Sequence, residues 1–390
     1  MTDAAEGPLI YLVAGEPSGD LLAARLMRAL KRETGGRVRF RGVGGPQMEA
    51  EGFKSLFDIR EIAIMGLVEV VAHIPTVLRR MRECHEDALA AKPDLFLSID
   101  SPSFSLEVSK KLTGQGYPLV HYVAPTVWAW KAGRAKRIAR FLNHLLCLLP
   151  FEPPYFEVHG LPATFIGHPA VEAAERPTDP LAFRAAHRLG DADPLLCVLP
   201  GSRRGEVKRH APIFGQALGL LAEGYPGVQA LVPTVPTVSD HVKKAVAGWP
   251  VPAQVLLGDE EKYQAFAASR AALAASGTVG IELAVAGLPA VMAYKVNWLS
   301  AAMVPLFVKL RYASIASLVL DRLVQPECLQ HRCNPKTLAR ILQTLIDDSG
   351  ERARVIADGR EAALALGQGG EAPSLRAARV LLGLLQKGKP

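Results

Sequence analysis

Short aliphatic runs alternate with helical stretches almost from end to end, and that alternation leaves this chain few folds to choose from. Leu9–Val13, Val38–Val43, Asp94–Ile99, Leu119–Val123, Leu145–Leu149 and Thr164–Ile166 read as strands. Strands separated by stretches of helical length imply parallel βαβ units in an open, doubly wound sheet. Leu22, Leu26 and Leu30 recur at helical spacing, which predicts a helix from about Asp20. His168–Pro180 is polar, carries Pro169, Pro177 and Pro180, and reads as a linker. The rhythm then restarts with Leu195–Leu199, Val228–Val232, Gln254–Leu257, Ala271–Ala275 and Ala290–Ala293. Asn334 followed by Pro335 reads as the N-cap and first residue of a late helix. The expectation is an α/β chain of two Rossmann-like domains, 1–168 and 169–350, facing a central cleft. Helices over 351–390 should pack back on the first domain or on a partner chain. At about 150 residues per domain, 390 residues are enough for this.

Composition narrows the function classes. Hydrophobic residues at 49% and charged residues at 21% exclude a disordered chain. No stretch reaches about 18 uninterrupted apolar residues, and the acidic start MTDAAEGPLI does not read as a secretory signal. Five irregularly spaced cysteines argue for a reducing compartment, and Cys328, His331 and Cys333 do not have zinc spacing. The net charge of +7 favours anionic ligands or an anionic lipid surface. A nucleic-acid binder would concentrate its basic residues in a stripe, whereas most here are interspersed with acids.

Ligands of doubly wound sheets bind beyond the carboxyl ends of the strands, so four loops matter. In Gly15-Glu16-Pro17-Ser18-Gly19-Asp20 the glycines permit close approach and a helix start offers N–H groups, while Glu16 and Asp20 disfavour a bare phosphate. In Ser98-Ile99-Asp100-Ser101-Pro102-Ser103-Phe104, Asp100 closes a strand where a carboxylate suits a general base; an Asx turn is the plainer role. Gly201 and Ser202 of Pro200-Gly201-Ser202-Arg203-Arg204-Gly205-Glu206 suit an oxyanion-holding turn, and Arg203 adds a forked donor for phosphate oxygens. That loop lacks Walker spacing and the Lys-Ser/Thr pair that holds magnesium. Ser276, Gly277 and Thr278 open a helix in which Glu282 lies one turn in, placed to accept from a ribose diol. The turn Gly42-Val43-Gly44-Gly45-Pro46 lacks the third glycine and following acid of a dinucleotide site, so NAD is discounted.

Together, AGEPSGD, GVGGPQM, EIAIMGLVEV, SIDSPSF, HYVAPTVWAW, LPFE, FIGHP, LPGSRRGEV, ASGTVGIELA and PECLQ closely resemble the lipid-A-disaccharide synthases, from about Leu9 to the C-terminal helices. The resemblance implies a GT-B glycosyltransferase, without cofactor or metal, that joins UDP-2,3-diacylglucosamine to 2,3-diacylglucosamine 1-phosphate with inversion. It implies Asp100 as base on the acceptor 6-hydroxyl with Glu16 and Ser18 nearby, Arg203 at the departing diphosphate, and Glu282 on the uridine ribose. Trp128 and Trp130 either shape the cleft or are core aromatics. Acylated substrates imply a cytoplasmic protein, peripheral on the anionic inner face of the inner membrane. The runs Ile62–Val71 and Trp298–Phe307, beside Arg79, Arg80, Lys309 and Arg311, are the candidate surface, though buried helices would account for them too. The assembly state is left undecided, a homodimer included.

One stretch departs from the family. Where it usually reads Ser-Leu-Pro-Asn-Leu, this chain reads Ser314-Ile315-Ala316-Ser317-Leu318, which leaves Ser317 to replace part of any contact the asparagine makes. A lipid II transferase or UDP-N-acetylglucosamine epimerase shares the fold but accounts for neither SIDSPSF nor HYVAPTVWAW. A non-catalytic nucleotide-sugar-binding protein would keep the Arg203 loop without needing Asp100.

Overall fold

Strands β1 (Leu9–Ala14), β2 (Arg39–Val43), β3 (Leu95–Ile99), β4 (Leu119–Tyr122), β5 (His144–Cys147) and β6 (Ala163–Phe165) form one parallel sheet in the order β2-β1-β3-β4-β5-β6. In this computed structural model the described residues are 7–62, 67–129, 133–174, 176–190, 194–275, 277–296 and 311–387, without the side chains of 67–72. A second parallel sheet holds β7 (Leu195–Leu199), β8 (Gln229–Thr234), β9 (Ala253–Leu257), β10 (Ala271–Ala275), β11 (Ala290–Tyr294) and β12 (Glu327–Leu329), ordered β12-β11-β10-β7-β8-β9. Helices cover both faces, so Ile10–Ala14 and Leu195–Val198 are wholly shielded from water, as their unbroken apolar sequence demands. Each fully buried Leu, Ile or Val there contributes about 1.5–3 kcal/mol.

Two units divide the chain, Met1–Pro169 with Gly370–Pro390, and Ala170–Gly369. The C-terminal helices therefore do not act as one group over 351–390. Ser349–Ala365 packs on Val279–Val285 of the second unit, where Gly359 lies against Ala284. Pro373–Gln386 packs on Pro17–Glu33 of the first, burying Ala377, Ala378 and Leu381, with Arg379 paired to Glu33 at 3.0 Å. The expected linker is shorter than His168–Pro180 because Pro169–Ala174 is a helix, its proline at a position where no N–H is required. The first helix begins at Pro17, ahead of Asp20, for the same reason. The short edge strand Glu327–Leu329 gives no alternation to read and is absent from the sequence-based expectation.

Asp20 shows why the Gly42–Pro46 turn holds no dinucleotide. Its buried carboxylate accepts from the backbone N–H groups of Gly45 (2.9 Å), Gln47 (2.9 Å) and Met48 (3.0 Å). The amides that a diphosphate would need are given to a side chain. Asp20→Ala leaves three donors without their acceptor and should cost about 3 kcal/mol, read as a lower urea midpoint at unchanged slope. Stability within about 0.5 kcal/mol of wild type would mean that water replaces the carboxylate without loss.

Candidate active site

Each sheet has one point where the strand order reverses, and each reversal opens a crevice between two loops. In the first sheet the chain leaves β1 for β2 on one side and returns as β3 on the other. The loops after β1 and β3 therefore meet. Gly15 permits this, because a Cβ there would lie 2.6 Å from Cβ and Oγ of Ser101. Ser18 Oγ donates to Asp100 Oδ2 at 2.7 Å, and the Ser101 amide donates to Oδ1 at 2.8 Å. Glu16 stands at the N-cap position of Pro17–Glu33, so Glu16, Ser18 and Asp100 come from one pair of loops. Asp100 and Ser101 have φ of 51° and 42°, and the β-branched Val123 after β4 has φ of 82°. Backbone in this region is costly for such residues and persists only where its surroundings enforce it.

A second carboxylate stands in the loop after β5 of the same sheet. Glu152 of LPFE is 3% exposed and accepts from Trp128 Nε1 (3.2 Å) and the amides of Leu148 (3.1 Å) and Leu149 (3.0 Å). Burial pushes its pKa up to about 7, with the three hydrogen bonds opposing the rise. Trp128 stands edge-on to Phe151 at 5.3 Å, so it ties HYVAPTVWAW to LPFE; Trp130 lies outside the described residues.

In the second sheet the reversal falls between β7 and β10, and a cavity of about 570 Å³ opens there. Gly201, Ser202, Arg203, Gly277, Thr278 and Glu282 all line it; Ser276 lies outside the described residues. Gly201 has φ of 127°, and a Cβ on it would lie 2.4 Å from Glu206 Cβ, so conformation and space both require glycine. The Ser202 and Arg203 amides do not point free into the cavity as an oxyanion turn would. Glu206 Oε2 accepts from them at 3.0 and 3.3 Å. The Arg203 guanidinium of this loop lines the cavity, 68% exposed and 3.8 Å from the nearest Glu206 carboxylate oxygen. Glu282 is held by Lys262 Nζ at 3.1 and 3.2 Å, and Lys262 also pairs with Asp259 at 3.1 Å.

Lys262, Glu206 and Tyr294 line the same cavity and escaped the sequence reading. Glu206 carried a signal, an acid three residues after the loop's first arginine, where it caps a helix start. Lys262 had none, since its helix Asp259–Ala268 gives no hint of facing Glu282. Burial, with Glu206 nearby, raises the Tyr294 phenol above its usual range. Ser317 is not brought to this cavity. It is wholly buried, and its Oγ accepts from the Val324 amide at 3.1 Å.

Nearly all of the two apolar runs considered for a lipid surface falls on side chains outside the described residues. Of their flanking cations, Arg79 and Arg80 both pair with Glu61, and Arg80 also with Glu83, so their charge is largely compensated. Arg311 is exposed beside the Tyr312 ring. Among the described residues no helix is long and apolar enough to cross a membrane.

Two parallel sheets, each with its crevice at the strand reversal, make this a GT-B glycosyltransferase fold. Solved structures share it. A putative UDP-N-acetylglucosamine 2-epimerase from Listeria monocytogenes superposes with a TM-score of 0.65 at 15% identity, covering 97% of this chain and 95% of that one. MurG of Acinetobacter baumannii does so at 0.57 and 15%, covering 97% and 99%. The family model for lipid-A-disaccharide synthetase matches residues 10–372. Lipid-A-disaccharide synthase of Rhodospirillum centenum is 49% identical over 97% of this chain and 95% of its own length; that of Paramagnetospirillum magneticum is 47% identical over 98% of each. The chain belongs to the lipid-A-disaccharide synthase family.

Proposed function

We propose that this chain transfers 2,3-diacylglucosamine from its UDP derivative to the 6-hydroxyl of 2,3-diacylglucosamine 1-phosphate. The acceptor oxygen attacks the anomeric carbon as the bond to UDP breaks, the configuration inverts, and the hydroxyl proton passes to Asp100. The observation that carries the reading is the cavity in the second unit, where separate loops bring together Arg203, Gly277, Thr278 and Glu282. In it Arg203 and the helix start after Thr278 stabilise the departing diphosphate, and Glu282, aligned by Lys262, accepts from the ribose diol. The first unit serves the acceptor: Asp100 is the base, Ser18 orients it, and Glu16 flanks the hydroxyl. Acylated substrates support a place on the anionic inner face of the inner membrane, reached from the cytoplasm.

The test is mass spectrometry of the products with each substrate alone and with both. UDP and the disaccharide 1-phosphate should form only with both, and should still form in EDTA, since no step uses a metal. No UDP release with both substrates overturns the reading, and conversion of UDP-N-acetylglucosamine without acceptor would make the chain an epimerase instead.

A further inference from the structure

One imidazole behind the cavity wall ties two strand ends together. His210, in the second turn of Arg204–Ala222, is wholly buried. Its Nδ1 lies 3.0 Å from the Pro200 carbonyl oxygen, and its Nε2 lies 3.1 Å from the Lys295 amide nitrogen. A carbonyl only accepts and a backbone amide only donates, so the ring is neutral, with its proton on Nδ1 and a lone pair on Nε2. Burial, the largest influence, lowers its pKa and favours that neutral form.

Pro200 directly follows β7 and Lys295 directly follows β11. These strands are not hydrogen-bonded to each other, because β10 lies between them. The ring spans their ends, and Arg209 completes the clamp, its Nη1 donating to the Lys295 carbonyl at 2.8 Å. Phe214 and Tyr294 hold the imidazole plane, with centroids at 5.7 and 5.4 Å. The residues on either side of this clamp are cavity residues: Gly201, Ser202 and Arg203 follow Pro200, and Tyr294 precedes Lys295.

We propose that His210 is a positioning residue for nucleotide-diphosphate binding, clamping Pro200 and Lys295 so that Arg203 and Tyr294 keep their places on the cavity wall. The inference rests on the reading of that cavity as the UDP site. A histidine that merely satisfies two peptide groups would change stability and leave the affinity of the folded protein alone. A positioning histidine moves the donor-side constants, because a displacement near 1 Å of a group that orients substrate costs up to about a hundredfold.

The experiment is calorimetric titration with UDP, together with donor and acceptor KM, on wild type, Arg203→Ala, His210→Phe, His210→Gln and Arg209→Met. His210→Phe keeps an aromatic ring against Phe214 and Tyr294 and deletes both hydrogen bonds. It should weaken UDP binding and raise donor KM about ten- to hundredfold, with acceptor KM within about twofold. His210→Gln, whose amide carries a donor and an acceptor side by side, should recover most of that loss. Arg209→Met removes the outer half of the clamp and should weaken UDP about threefold. His210→Phe binding UDP as wild type does, whatever its Tm, overturns the proposal. Should that variant not fold, unchanged UDP affinity and donor KM in Arg209→Met overturn it instead. If wild type fails to bind UDP, the cavity reading fails and the inference goes with it; if Arg203→Ala binds UDP equally well, Arg203 is not a diphosphate ligand and the inference, which positions Arg203, is overturned. Loss in Arg203→Ala without loss in the His210 and Arg209 variants refutes the inference alone.

Discussion

Asp100→Asn is expected to lower kcat by 10²–10⁴-fold, about 3–5 kcal/mol in the barrier, while UDP affinity and Tm stay close to wild type. The structure makes this substitution unusually clean. Asp100 sits at φ of 51°, a conformation that asparagine tolerates at least as well as aspartate. An asparagine oxygen still accepts from the Ser101 amide, and its NH₂ replaces Oδ2 opposite Ser18, whose hydroxyl turns round to accept. Every contact survives in kind, and only the capacity to take a proton is lost. If Asp100 is there only to cap the turn, asparagine does that nearly as well, and rate and stability should both hold. Steady-state kinetics beside thermal melts separate the two roles. A variant that turns over normally makes Asp100 structural and moves the search for the base to Glu16.

The surroundings of Asp100 were half legible in the sequence. The position of Asp100 at a strand end follows from the buried run Leu95–Ile99, and burial on both faces is why such runs stand out. Its contact with Ser18, 82 residues away, follows only from the strand order, in which β1 and β3 are neighbours across the reversal. The second sheet tells the same story. The Gly201–Arg203 and Gly277–Glu282 loops were visible as glycine- and hydroxyl-rich turns after apolar runs, and they do meet in one cavity. What stayed hidden were the side chains that reach it from helix faces: Lys262 on Glu282, Glu206 on the Ser202 amide, His210 behind Pro200. A helical period says which face is buried, not which loop that face meets. The Ser317 contact is hidden for a related reason, since a hydroxyl one helix turn along reads identically whether it meets solvent or the Val324 amide. In the Gly42–Pro46 turn the missing glycine is legible in the sequence, whereas the Asp20 carboxylate that takes up the Gly45, Gln47 and Met48 amides is not.

Arg203→Ala should reduce kcat/KM for the UDP donor by about 10²–10³-fold, roughly 2.7–4 kcal/mol, the range seen when one donor to a developing oxyanion is removed. The fold has little stake in this side chain. It is largely exposed, and its separation from Glu206 is at the outer limit of an ion pair, which is worth at most about 1 kcal/mol at a surface. Glu206 keeps its two amide bonds without it, so Gly201 and the loop backbone should not move. Because Glu206 already engages the Ser202 and Arg203 amides, those two cannot replace the guanidinium, and that places the expected loss toward the upper end. Arg203→Lys separates charge from geometry: a lysine restores the positive charge as a single point but not the fork that grips two phosphate oxygens, so it should recover only part of the activity. Equal activity in the lysine variant would reduce the role of Arg203 to charge alone. Donor kcat/KM within about twofold of wild type in Arg203→Ala would remove it from the site, and the burden of holding the diphosphate would pass to the helix start after Thr278 and to Lys262, the other cation among the described residues on the wall.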